Sequence, residues 1–473
     1  MGITNVMNTG KSGLFANRAS LATTGHNIAN VNTEGYSRQR VEQVASAPHP
    51  AGAINVGTGV HAVNIHRIND EYLTMQIANE MKNLGQYEEK DMAMAQTGNI
   101  FNEINDSGVN KLMANFFNEF RKLGNEPESE AMRVTVRESA DQLIGDFHRI
   151  STSIRDVQKN VDVRIEANVR QVNELVQRVA HLNEDIKRLE LKAGETGDLR
   201  DSRDNCIKKL STIIDISVAS NEKGELTIGI ANGVGPLVSG SQFNVMSVQK
   251  MKGDGEAGTP EGALQIRVEN FASPDITHKL VNGRLGGLVE SRDSIIGKMM
   301  KRVDELAFVF SQKVNEIHRQ GYNMNNGTGT DFFKELDSVE GAAAAMSLSA
   351  AVRDDANNIA TALGPDSPGD NRLVQQIARL QHMRVMSGGR STFDDHFNAT
   401  VADLATINAK NKSVLDHQGH IVSQLEKFRE AVAGVSLDEE TTNLVQFQHA
   451  FDACAKVIKV ADEMLESVLR MRG

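Results

Sequence analysis

The chain has 473 residues, of which 40% are hydrophobic and only 4% aromatic, with no Trp. That length suggests about three domains, and the shortage of rings favours aliphatic and Met packing in helical rods over a ring-lined enzyme pocket. A formal net charge of -11 without a clustered basic stripe argues against a nucleic-acid partner, and no stretch approaches the ~18 apolar residues that membrane insertion requires.

In chain order, the first element is a helix. Met7, Leu14, Leu21 and Ile28 recur every seven residues, with Phe15, Ala22 and Ala29 beside them, which makes one narrow apolar stripe. The opening "MGITNVMNTGKSGLF" has no apolar run of the kind a cleaved signal carries. The helix then meets "HNIANVNTEGYSRQR", His26 to Arg40, where Asn27, Asn30 and Asn32 tolerate left-handed backbone and can satisfy terminal carbonyls, and Gly35 turns the chain. Beyond it, "RQRVEQV" and "GVHAVNIHRI" alternate as two extended segments, separated by a loop at Pro48 and Pro50.

Helical spacing returns from Glu71 to about Ile104, with Leu73, Ile77, Met81 and Leu84 on one face and Met92 and Ile100 continuing it. From Ile154 to Leu189, steps of four and three give Ile154, Gln158, Val161, Ile165, Asn168, Val172, Leu175, Val179, Leu182, Ile186 and Leu189, a coiled-coil seam broken only by Gln158 and Asn168. Such a helix is about 55 Å long at 1.5 Å per residue. Alternation at Ile214, Ile216 and Val218, a turn in "SNEKGE", and alternation again at Leu226, Ile228 and Ile230 read as a hairpin. With Leu264, Ile266 and Val268 and the glycine-rich "KGDGEAGTPEG", they mark a small β insertion. "SRDNCIKKL" from Ser202 and "SRDSIIGKM" from Ser291 each look like a helix start. Between Gly321 and Asp370 the chain looks loose, and helices resume at Asn371. The final stripe, Leu444, Phe447, Phe451, Cys454, Ile458, Ala461, Leu465 and Val468, holds 3-4 spacing without a polar intruder and must be covered by something.

Chemistry-bearing clusters are weak. His61 and His66 fall on opposite faces of a strand and cannot share a metal. Asp394, Asp395 and His396 fit the cap of the helix beginning near Phe397. "GTGVHAV" and "GTGTDFF" lack the context of a phosphate loop, and no Gly-x-Ser-x-Gly elbow occurs. Cys206 and Cys454 match no metal or redox spacing and read as free packing thiols. No catalytic residue, metal or cofactor is expected, and the chain is not read as an enzyme. The fold class is mainly α: an elongated helical rod with coiled-coil-like N- and C-terminal helices and a small inserted β domain. The divisions are terminal helices at 1–35 and 440–473, a helical rod at 36–215 and 280–439, and the β domain at 216–279.

The combination of "NIANVNTEGYSRQR", "GDLRDSRDNCIKKLSTIIDISV", "IANGVGPLVSG", "NGRLGGLVESRDSIIGKMMKRVDELAFVFSQKVNEIHRQGYN" and "GVSLDEETTNLVQFQHAFDACAKVIKVADEML" resembles the flagellar hook-associated protein 1 family across nearly the whole length. These are hook–filament junction proteins of the flagellar rod and hook axial superfamily. The chain departs from the usual pattern at Glu34, where the family has Pro before Gly35. The resemblance implies a structural adaptor joining hook to filament, with terminal helices forming an inner assembly layer that orders on incorporation. It also implies secretion through the flagellar type III export apparatus to an extracellular position at the hook–filament junction. The implied partners are further copies in a ring or tube, the hook protein, the second hook–filament junction protein, and a cytoplasmic export chaperone at the C-terminal helix. The residues expected at the assembly interface are Met7, Leu14, Leu21, Ile28, Asn30, Gly35, Tyr36, Leu444, Phe447, Phe451, Ile458, Leu465 and Val468. A hook or distal-rod protein of the same superfamily is the nearest rival, and the long seam at 154–189 argues against it.

Overall fold

Apolar 3-4 spacing organises most of this chain, and the computed structural model, which describes residues 2–51, 54–101, 108–220, 225–250, 263–271 and 273–471, is accordingly mainly helical. Helix α1 (Ile3–Ala29) leads into strand β1 (Gln39–Ala45), a short hairpin of β2 (His49–Ala51) and β3 (Ile54–Val56), and β4 (Val60–Arg67), which pairs antiparallel with β1. Pro50, expected in a loop, sits instead in the short β2 strand, where few ladder bonds are at stake. The β1–β4 pair lies against α1.

The helical body is built on one spine. Helix α2 (Glu71–Ile100) starts at Asp70, whose side chain accepts from the Leu73 amide; Ile104 lies outside the described residues. Helix α3 (Val109–Asn125) precedes α4 (Glu130–Ala193), which runs 64 residues and is therefore about 96 Å long. The seam at 154–189 is the lower half of this helix. No single long helix pairs with it. Its buried residues, among them Ile154, Val161, Ile165, Val172 and Val179, are covered in turn by α2, by α5 (Gly197–Ile213) and by the β insertion.

That insertion holds β5 (Ile216–Ser220), β6 (Leu226–Ile230), β7 (Gly235–Ser239) and β8 (Gln242–Phe243) in one antiparallel sheet of that order. A second pair, β9 (Met246–Lys250) and β10 (Leu264–Val268), completes it. The "SNEKGE" turn and "KGDGEAGTPEG" fall largely or wholly outside the described residues. Two α4 asparagines fasten the insertion to the spine. Asn173 exchanges two 2.8 Å hydrogen bonds with the Met246 backbone, and Asn183 donates to the Leu226 and Gly240 carbonyls.

Helix α6 (Gly283–Glu290) continues through a π-helical turn, Ser291–Ile296, into α7 (Gly297–His318). Neither Ser-Arg-Asp segment is a helix start: Ser202 lies inside α5 and Ser291 inside this continuous helix. Their shared content is a buried arginine aimed at the spine. Arg203 donates to Asn183, and Arg292, 1% exposed, donates to Asp162 and to the Leu264 carbonyl.

Residues 321–370 are irregular but not loose. They carry only the short α8 (Ala342–Ala345) and α9 (Ala350–Asp354) before α10 (Arg372–Arg379), yet Phe332, Phe333, Met346, Val352 and Ile359 are fully buried. Asn315 of α7 accepts from the Phe332 and Phe333 amides and donates back to the Phe333 carbonyl. Buried Arg133 of α4 donates to the Ile359 and Pro127 carbonyls and to Thr361. Side chains thus satisfy the backbone that a helix would otherwise have paired. Helix α11 (Phe393–Ala433) begins with Thr392 and Asp395 in a reciprocal capping box, four residues before Phe397. It packs along α2, and α12 (Leu437–Arg470) returns along α1.

Candidate assembly interface

The two ends of the chain meet as an antiparallel pair. Gly10 lies against Ile458 and Cys454, Gly13 against Cys454, and Asn27 reaches Glu440. The buried face of α1 is Gly10, Gly13, Ala16, Ser20, Thr23, Thr24 and Asn27, all small or polar. A Cβ on Gly13 would stand 2.8 Å from the Cys454 sulfur, so the missing side chain sets how closely the helices approach. The heptad residues Met7, Leu14, Leu21 and Ile28 flank this seam and are only half-buried. Leu444, Phe447, Phe451 and Ile458 of α12 are likewise half-buried. Leu465 and Val468 are 41% and 50% exposed. The antiparallel pairing brings Ile3, where α1 begins, level with Met464, so the last turns of α12 extend past their partner. Phe15, Val445, Val457, Val460, Met464 and Leu469 add to this open apolar surface.

The asparagine-rich stretch answers to one residue. Asn27 is fully buried and makes four hydrogen bonds, its whole capacity. Its oxygen accepts from the Tyr36 hydroxyl at 2.7 Å and the Gln39 amide at 2.9 Å, and its nitrogen donates to the Gln39 carbonyl and Glu440, each at 3.0 Å. Asn30 caps α1 by donating to the His26 carbonyl, and Gly35 turns with φ +79, a conformation that favours glycine. Burial first, then the charges of Asp198, Asp201 and Glu440, push the Tyr36 phenol above its ordinary range, so it keeps the proton it donates to Asn27. Beside this hub, Arg38 and Arg40 hold Glu439 at 2.8 and 2.9 Å, and Arg40 lies 2.9 Å from Glu440.

The body meets this assembly with carboxylates from α5. Asp198 accepts from Gln39 at 2.7 Å and lies 3.1 Å from His26; Asp201 accepts from the Ser37 amide at 2.7 Å; Arg67 reaches Asp201 at 2.8 Å and Asp204 at 2.6 Å. Burial raises the Asp201 carboxyl against the opposing pull of Arg67 and the Ser37 amide. None of these carboxylates was among the expected interface residues, although their three-residue spacing in "GDLRDSRDN" puts them on adjoining turns of one helix. Behind them lies a cavity of about 190 Å³ lined by residues such as Lys82, Arg200, Lys208, Ile207 and Leu226. Lys82, Arg200 and Lys208 are already paired with Asp215, Glu190 and Glu426, which makes them struts.

His61 and His66 sit at opposite-parity positions of β4, and among the described residues no group of three or more His, Cys, Asp or Glu could hold a metal ion. Among the described residues, too, no helix is long and apolar enough to cross a membrane.

Residues 94–333 match the family model described as the flagellar hook-associated protein FlgK helical domain. The chain ends match two further models: residues 7–36 the flagella basal body rod protein, and residues 431–471 the flagellar basal body rod FlgEFG protein C-terminal region. The chain is 28% identical to flagellar hook-associated protein 1 of Bacillus subtilis, over 99% of this chain and 98% of that one. It is 25% identical to the protein of that name from Escherichia coli, over 99% and 100%. The flagellar hook junction protein FlgK from Burkholderia pseudomallei shares the fold, with a TM-score of 0.66 over 76% of this chain and all of that one, at 13% identity. A helical body that matches the family model over half the chain, and ends that match the rod models, place this chain in the flagellar hook-associated protein FlgK family.

Proposed function

We propose that this chain is the structural adaptor subunit that joins the bacterial flagellar hook to the filament, as a hook-associated protein 1, and that filament assembly requires it. The observation that carries the reading is the unfinished surface of the terminal pair. One face of α1 and α12 is closed by small residues, and the larger side chains beside it, with the overhanging Leu465 and Val468, remain open. A contiguous apolar surface of this kind marks an interaction site. Copies of the chain close it by packing side by side in a ring or tube, with Met7, Leu14, Leu21 and Ile28 meeting Leu444, Phe447, Phe451, Ile458, Leu465 and Val468 of neighbours. Asn30, Gly35 and Tyr36 shape the joint that presents this surface.

One edge of the ring accepts the hook protein and the other presents a surface to the second hook–filament junction protein. Before assembly, the C-terminal helix is the segment a cytoplasmic export chaperone covers, and the chain leaves through the flagellar export apparatus. The test uses hooks isolated from cells lacking this gene. Purified protein is added, its position imaged, and filament growth then attempted. Density at the distal hook tip with restored growth is the expected result; density elsewhere on the axis would assign the chain to another axial position.

A further inference from the structure

The hairpin and the terminal helices are stitched to each other by helix packing, by strands laid on α1 and by hydrogen bonds. Gln43 donates to Ser20, the Val60 amide to Ser12, and Asn27 joins α1, β1 and α12, while Arg38 and Arg40 clasp Glu439. Toward the body the picture changes. Helix α12 packs chiefly on α1, and the body element against which the hairpin packs is α5. Two short segments connect the two parts covalently, Ile68-Asn69-Asp70 and Gly434-Val435-Ser436. Across that gap runs a row of polar contacts: the carboxylates of Asp198, Asp201 and Asp204 with Gln39, His26, the Ser37 amide and Arg67, Arg67 also with Glu195, and the Arg38 amide on the Ala433 carbonyl.

We propose that Asp198, Asp201 and Asp204 are positioning residues that form an angular stop, fixing the direction in which α1, α12 and the β1–β4 hairpin leave the body as one piece. A polar row fits this task. Directional hydrogen bonds specify one orientation, and because water can replace each partner, the row can be released without exposing a core. The parts on either side keep their own packing. An adaptor between two lattices has to set such an angle, and that use rests on the adaptor reading; the angle itself belongs to the free subunit.

The test places nitroxide labels at Lys456 on α12 and Lys159 on α4, both exposed, in full-length protein carrying Cys206→Ser and Cys454→Ala. The parent should give one narrow distance distribution. Asp198→Ala with Asp201→Asn should broaden it about twofold, a population of further orientations, while circular dichroism stays unchanged. Gln39→Ala, which removes an exposed hydrogen bond to Asp198 and the side chain's place against Gly197, should move the distribution the same way by less, and decides the matter if the double variant loses helix. A second label pair, Lys456 with Arg18 on α1, should stay narrow throughout. Unchanged distributions in both variants would overturn the stop. Broadening of the Lys456–Arg18 pair would overturn the claim that the unit moves as one piece. Hook binding plays no part in the measurement, so its failure and that of the adaptor reading are distinguishable.

Discussion

Phe116, Phe117, Phe120, Phe310, Phe332, Phe333 and Phe393 share one small volume in the body, with Phe116 centroids 4.9–5.6 Å from Phe120, Phe117, Phe310 and Phe332. At the α1–α12 contact the buried residues of α1 are instead Gly, Ala, Ser, Thr and Asn, those of α12 are Glu440 and Ala461, and the phenylalanines there stay partly in water. Interlocking rings hold one arrangement through area and shape. Small residues allow close approach but hide little apolar surface, so the pair has attractive surface left over. The first region is finished within one chain, and the second keeps open the surface that the proposed assembly would use.

Four perturbations sharpen that contrast. Phe116→Ala removes the ring that meets five others and should destabilise the body by about 3–5 kcal/mol, read as a lower urea midpoint. The terminal pair, which shares no contact with that cluster, should keep its amide-exchange protection relative to the body.

Acid should attack the same region. His318 is fully buried, with Nδ1 donating to the Thr330 carbonyl and Nε2 accepting from the Ala360 amide, and burial lowers its pKa from 6.5 to about 4. The unfolded chain takes up this proton first, so the contribution is whole above pH 6.5 and is lost as pH falls toward 4, up to about 3 kcal/mol. Urea midpoints across that range should fall more in the parent than in His318→Gln, and equal slopes would remove His318 from the account.

Asn27→Ala strips four hydrogen bonds at once and leaves the buried Glu440 carboxylate short of a partner. The expected cost is about 2 kcal/mol, confined to the terminal unit and visible as faster exchange of α1 and α12 amides with the body unchanged. Leu465→Glu with Val468→Glu should have the smallest effect on stability, within about 0.5 kcal/mol because both sites are exposed. It should nevertheless abolish binding to hooks. A large loss of stability would mean that the overhang is covered within the chain.

What could be read from the sequence followed how local the cause was. The stripe of α12 and the alternation of β5, β6 and β10 were legible because each pattern lies within one element. The α1 seam was not, since apolar size suggested the buried face whereas close approach selected the small residues between. Phe116 meets Phe310 and Phe332 across some two hundred positions, so a 4% aromatic content gave no sign that rings would gather. At the joint, Asn27, Asn30 and Gly35 showed as turn chemistry, but Asp201 lies 164 residues from the Ser37 amide it receives.

The link from Asn27 to Glu440 spans 413 positions, which bears on the order of events during folding. Contacts so far apart in sequence carry a closure cost before they return anything, and α1 cannot meet its partner until the long stretch between them and α12 itself have been made. It spends that interval alone. A helix whose contact face is Gly, Ser, Thr and Asn is suited to such a delay, because the surface it leaves uncovered is one that water solvates well. On the face that awaits α12, the half-made molecule therefore exposes little that would capture a wrong neighbour, and the helix that covers that face arrives last.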